Sequence, residues 1–190
     1  DTYATCFLKD ILRSCSERCP ELQIEVHCGY SESIWSQYEK GQLDVVLTQG
    51  CPNQINSEIL HVEPLLWMCS QTSDVYKKTP APLALFSGGC ADRDVVLNAL
   101  IQDGKDYTLG FHSTSHAGIL AAVSSGNYVS AILASTSNHN FKVLTEADGF
   151  PPLGNLEISM AYNDHADNSS AQMFADVVRE YFHWFNCRKH

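Results

Sequence analysis

The sequence predicts an α/β protein of two lobes, each a parallel sheet with helices on both faces, and three observations carry that expectation. Short strand-like runs alternate with helical repeats along the whole chain, the order that builds parallel sheets with crossover helices. Two proline-marked stretches interrupt the alternation, one from Pro64 to Pro82 and one at Phe150-Pro151-Pro152-Leu153-Gly154, and both read as crossings between lobes. A chain of 190 residues with 44% hydrophobic content has enough apolar material for one large domain or two small lobes.

Each element follows from a local pattern. From Thr5, the positions Leu8, Ile11, Leu12, Cys15 and Cys19 recur at helical spacing until Pro20 closes the run. Leu22, Ile24 and Val26 then alternate with Gln23, Glu25 and His27, the period of a strand. Gly29-Tyr30-Ser31 turns the chain into a second helix, with Ser31 as N-cap, Ile34, Trp35 and Tyr38 as buried face and Gly41 as stop. Leu43 to Leu47 reads as a strand ending at Thr48, and Ile59 to Cys69 holds two apolar runs punctuated by Pro64. After Pro82 the alternation restarts with strand Leu83 to Phe86, a helix carrying Val95, Val96, Ala99 and Leu100, and a short strand around Leu109-Gly110-Phe111. A helix from Ser115 to Ser125 stops at Gly126, and Val129 to Leu133 is the next strand. Leu156, Ile158, Met160 and Tyr162 alternate as a last strand. Phe174, Val177, Val178, Tyr181, Phe182 and Phe185 mark an amphipathic C-terminal helix whose aromatics read as core.

Composition excludes several functions. The formal charge of -10 repels a phosphate backbone, and no basic cluster is longer than Lys77-Lys78 or Arg188-Lys189, so nucleic-acid binding by this segment itself is not expected. No apolar stretch approaches the roughly 20 residues that span a bilayer, and Asp1-Thr2-Tyr3 does not open a charged and then apolar leader. The 8 cysteines are scattered without a Cys-x-x-Cys pair, which suits a reducing cytoplasm better than a disulfide framework. Cys15 and Cys19 share a helix face, but no histidine or second pair lies close in sequence to complete a zinc site, so no metal or other cofactor is expected.

Ligands of parallel α/β sheets bind beyond the carboxyl ends of the strands. Those ends are occupied here by Thr2-Tyr3, Tyr30-Ser31, Thr48-Gln49, Gly88-Gly89-Cys90 and Ser113-Thr114-Ser115. Any one serine or threonine among them is explained by helix capping; their convergence on one cleft is what points to a ligand. Cys90 stands where an apolar strand hands over to a helix, with Arg93 one turn later, and helix amides and a guanidinium both favour thiolate. The competing reading is a small packed side chain. A thiol enzyme would need His112 or His116 as base, and no motif places a carboxylate partner, so catalysis is not expected.

The order of segments resembles the effector-binding domain of LysR-type transcriptional regulators. The resemblance rests on Asp1-Thr2-Tyr3-Ala4 entering the first helix, on CPELQIEVHCGYSESIW and YEKGQLDVVLTQG, and on EPLLWMCS, SGGCADR and STSHAGILAAVSSGNYVSAI. It covers nearly the whole chain, and PLLWMCS with the Gly-Cys-x-x-Arg segment looks closest to the LrhA-like branch. It implies the type 2 periplasmic-binding-protein fold, with residues 1–72 and 156–190 as lobe I, 73–155 as lobe II and two crossover strands. It further implies a bacterial, cytoplasmic regulator whose winged helix-turn-helix is absent from this chain, with antiparallel homodimers of such domains and tetramers of the full-length protein on DNA. The effector cleft carries over to Thr2, Tyr3, Tyr30, Ser31, Thr48, Cys90, Ser113, Thr114 and Ser115, for a small and anionic effector.

This sequence departs from the family in two places. The strand that in the family precedes the position of Asp1 is missing, and Gly126-Asn127-Tyr128-Val129 puts a bulky ring near the cleft or an interface. In peroxide-sensing relatives a cysteine matching Cys90 pairs with one shortly downstream, whereas the next downstream here is Cys187, so a sequence-local disulfide switch is not expected. The alternatives are a redox sensor acting through Cys90, tuned by Arg93, and the solute-binding protein of a transporter, which shares the fold.

Overall fold

The computed structural model describes residues 1–52, 55–163 and 169–188. The chain divides into two units, Asp1–Val62 with Leu156–His190, and Glu63–Asn155. The first crossing thus lies at Val62 and Glu63, ahead of the expected boundary after residue 72. Glu58–Ser70 is one continuous strand, β2, whose second half is already laddered within the second unit. Pro64 does not break it, because an extended backbone suits the fixed φ of proline and loses only one donor.

In the first unit a π-helical turn, Ala4–Leu8, runs into helix α1, Lys9–Arg18, and α2 spans Ser31–Glu39. Strand β1, Val45–Gln49, pairs antiparallel with β7, Asn155–Tyr162, and α5, Ser169–Arg188, follows. Phe7, Ile11 and Cys15 pack with Ile158, Met160, Ala175, Val178 and Phe182 in one core. Phe7 meets Phe182 and Phe185 edge-on at 5.1 and 5.4 Å, so the aromatic spacing of the C-terminal helix is core packing, as the periodicity predicts.

Two expectations fail in this unit. Leu22 to Val26 forms no strand: residues 19–30 carry no ladder, and Ile24 and Val26 are 36% and 48% exposed. Alternation supplies an apolar face, but a strand also needs a neighbour for its N–H and C=O groups, and among the described residues β1 pairs only with β7. That same antiparallel pairing corrects the expectation of parallel sheets throughout. The strands that leave and re-enter a unit run against those built by helical crossovers.

The second unit keeps the parallel arrangement at its centre. Strand β3, Ala81–Phe86, pairs in parallel with β4, Tyr107–Ser113, across helix α3, Ala91–Asp103. Helix α4, His116–Ser124, leads to β5, Ser130–Leu133, which adjoins β3 through the parallel bridge Leu83–Val129. The second half of β2 runs antiparallel to β5, with Leu65 opposite Leu133, and to β6, Phe141–Leu144, which the sequence reading does not anticipate because its buried residues, Phe141 and Leu144, stand three apart rather than in alternation. Met68, Phe86, Ile119, Val123, Ile132 and Phe141 form the core, and full burial of an aliphatic side chain such as Ile119 contributes about 1.5–3 kcal/mol.

A register shift between Leu83 and Ala84 leaves Gly110 as the extra residue of β4. A Cβ there would sit 2.6 Å from the Tyr128 ring, which lies over this bulge, 6.0 Å from the Phe111 ring. The carboxyl ends of β3, β4 and β5 share one edge of the unit, and α3 and α4 begin there.

Candidate functional site

β3 and β4 end side by side. Phe86 lies opposite Ser113, and the Ser87 N–H donates to the Ser113 carbonyl at 3.0 Å. The chain then turns through Gly89, whose φ of 88° suits glycine, to Cys90, the N-cap of α3, while β4 passes through Thr114 to Ser115, the N-cap of α4. Cys90, Ser113, Thr114 and Ser115 therefore lie along one edge of the second unit.

The two helix starts differ in charge. α3 carries Asp92 and Asp94 in its first turn, whereas α4 carries no acidic residue there and Ser115 makes no side-chain cap. The Ser113 hydroxyl accepts the Ser115 N–H at 3.0 Å, and the first turn of α4, from His116 to Gly118, contributes no acidic side chain of its own. Gly118 keeps this arrangement compact, since a Cβ there would lie 2.5 Å from Ser113 Oγ. His116 is buried, and burial pulls its pKa down to about 4, so the first residue of α4 is neutral at neutral pH. A helix start with these properties attracts anions.

Of the two readings of Cys90, the packed thiol is the one its surroundings favour. Burial, with the charge of Asp92 acting in the same direction, pushes its thiol up to about 11, and the backbone amides of Asp92 and Arg93 oppose this without winning. The Arg93 guanidinium does not serve the thiol: it donates to the Phe86 carbonyl at 2.8 Å and closes the turn. A thiol held protonated is a poor nucleophile, so this geometry supports a packed or ligand-lining cysteine rather than a redox centre tuned by Arg93.

Thr2, Tyr3, Tyr30, Ser31 and Thr48 all belong to the first unit. Thr2 and Tyr3 open the first helix rather than end a strand, and the Tyr3 ring lies 6.2 Å from Phe7 on the core. The N-cap of α2 is Tyr30, in extended conformation, and the expected cap Ser31 is its first helical residue. The Tyr30 hydroxyl is buried with no hydrogen-bond partner among the described residues. Thr48 is buried in β1, and its hydroxyl donates to the Gly50 carbonyl at 2.9 Å, so its first task is to hold the turn after the strand.

One pair at this same edge of the second unit, where β3, β4 and β5 end, escapes the sequence reading. Beyond β5 the chain makes a 3-10 turn, Ala134–Thr136, and Ser135 donates its N–H to Glu63 Oε2 at 2.8 Å and its hydroxyl to Oε1 at 3.1 Å. Glu63 is only 1% exposed. The available signal was an acidic residue within an apolar strand run, which is costly unless a partner is built for it. Elsewhere in this unit a polar hollow of about 470 Å³, lined by Ser70, Gln71, Thr72, Ser124, His139 and Asn140, lies at the opposite end of the strands. Among the described residues no cluster of histidine, cysteine and acidic side chains suits a metal ion, and no helix is long and apolar enough to cross a membrane.

Comparison with known proteins agrees with this architecture. The regulatory domain of the HypT M206Q mutant from Salmonella typhimurium superposes with a TM-score of 0.81 at 12% identity, covering 95% of this chain and 94% of that one. The regulatory domain of CcmR from Synechocystis PCC6803, solved in complex with 2-PG, superposes with a TM-score of 0.74 at 17% identity, covering 94% and 92%. At these identities the likeness establishes the fold, that of the type 2 periplasmic binding proteins. The HTH-type transcriptional regulator DgdR of Burkholderia cepacia is 26% identical over 94% of this chain, which spans 61% of that relative's length. Residues 1–183 match the family described as LysR substrate binding domain, and with that match the chain belongs to the effector-binding domains of LysR-type transcriptional regulators, a sensing module rather than an enzyme.

Proposed function

We propose that this domain senses a small anionic effector, whose negative group is seated at the start of α4. The observation that carries this reading is the contrast between two neighbouring helix starts, α3 already offset by Asp92 and Asp94 and α4 without an acid. Ser113, Thr114 and Ser115 supply hydroxyls beside those amides, and Cys90 lines the neighbouring strand end. Thr2, Tyr3, Tyr30, Ser31 and Thr48 are the first unit's own candidate effector residues. An effector acts by binding one arrangement of the protein better than another, so its differential affinity sets the size of the response. The acidic chain pairs as a homodimer, tetrameric in the full-length protein, and reaches DNA only through a helix-turn-helix outside these residues, in the cytoplasm.

The test is a melting and calorimetric screen of mono- and dicarboxylic acids, phosphorylated acids and 2-PG. At least one acid is expected to raise the melting temperature and bind. Ser115→Asp places a good N-cap and a negative charge at α4, so it is expected to stabilise the helix yet weaken the acid by about tenfold or more. Binding confined to neutral compounds, or an acid indifferent to Ser115→Asp, defeats the anion reading. Sedimentation of this chain tests the dimer, for which a monomer at high micromolar concentration is the contrary result.

A further inference from the structure

We infer that Glu63 is a positioning residue that ties β2 to the ligand-facing edge of the second unit by holding Ser135. The register shows why a side chain is needed there. β2 and β5 pair residue for residue from Met68 and Ser130 to Leu65 and Leu133, and two further steps along this register place Glu63 opposite Ser135. The ladder cannot continue through main chain, because Pro64 has no N–H and the chain beyond Leu133 turns into the 3-10 turn Ala134–Thr136. Glu63 replaces the missing ladder bonds with its two oxygens, one accepting the Ser135 N–H at 2.8 Å and the other its hydroxyl at 3.1 Å.

The placement gives this contact its consequence. β3, β4 and β5 end on the same edge, and the turn held by Glu63 follows β5 as the α3 and α4 starts follow β3 and β4. Glu63 is also the first residue of the second unit, on a strand that begins in the first. A side chain buried to 1% exposure at that point fixes where the strand meets the edge. Its role as a positioning residue rests on the ligand reading above; the tie itself does not.

Backbone hydrogen exchange on the 190-residue chain tests the tie without any ligand. Glu63→Ala is expected to speed exchange of the Ser135 amide by about tenfold or more, with the β1–β7 ladder unchanged. Glu63→Gln, which keeps an acceptor for that N–H, is expected to restore most of the protection. An unchanged Ser135 amide, or equal acceleration along the whole chain, overturns the inference. Inorganic sulfate then serves as the anion probe: at least fivefold weaker binding to Glu63→Ala than to the parent chain is expected, and equal affinity overturns the positioning role. If the parent chain binds no anion, the effector reading fails and the positioning role falls with it, while the exchange result still decides the tie.

Discussion

Cys90 is pulled in two directions by its place at the start of α3. The first amides of the helix favour the thiolate, while the surrounding apolar atoms and the Asp92 charge favour the thiol, and burial wins by carrying the pKa to about 11. The sign for stability follows. The folded chain holds the Cys90 proton to higher pH than the unfolded chain, whose thiol titrates near 9.0, so this residue's contribution is intact below about pH 9 and is lost as pH rises through 11. At neutral pH the exposed thiols Cys28 and Cys187 are expected to react with iodoacetamide well before Cys90. The Cys90 rate should keep climbing to about pH 11. Peptide mapping of alkylated protein over a pH series checks this, and fast labelling of Cys90 that levels off near neutral pH would contradict the packed thiol.

Among the elements, β4 and α4 show how tightly the edge proposed to bind the effector is built. The Ser113 hydroxyl faces the Gly118 backbone so closely that an added methyl group must displace it, and displacing it forfeits the bond from the Ser115 N–H. Gly118→Ala normally strengthens a helix by about 1 kcal/mol. Here the clash and the lost hydrogen bond are expected to reverse that, for a net loss of about 1 kcal/mol or more in urea unfolding, with a matching loss of anion affinity. The strand ends behind this edge were legible in the sequence because an apolar run stops at Phe86 and a short strand pattern around Leu109-Gly110-Phe111 is followed by hydroxyl residues and a helix pattern. That Leu22 to Val26 would find no partner was not, because periodicity describes one face of a strand and says nothing of the neighbour that must accept its backbone bonds. Glu63 was invisible for a related reason: its partner, Ser135, is brought opposite by the β2–β5 register, which a single strand's pattern does not contain.

At the scale of the whole molecule, unfolding reports on groups whose burial disfavours charge, and His116 is the clearest of them. It begins α4 almost wholly enclosed, at 1% exposure, and burial lowers its pKa to about 4 from the ordinary 6.5. Below pH 6.5 the unfolded chain takes up a proton that the folded chain refuses, so stability present above that pH is lost as the pH falls toward 4. The loss attributable to this side chain is on the order of 3 kcal/mol. Urea unfolding at intervals from pH 7.5 to 4 should therefore show a steeper acid decline in the parent chain than in His116→Asn, whose side chain does not titrate. The gap should open between pH 6.5 and 4 and be absent above pH 7. Because His116 opens the helix at which the acid is proposed to bind, a bound anion would favour a protonated imidazole there. Saturating acid ligand is therefore expected to raise the His116 pKa and flatten that decline, and a pH profile unmoved by ligand would place the anion elsewhere than the start of α4.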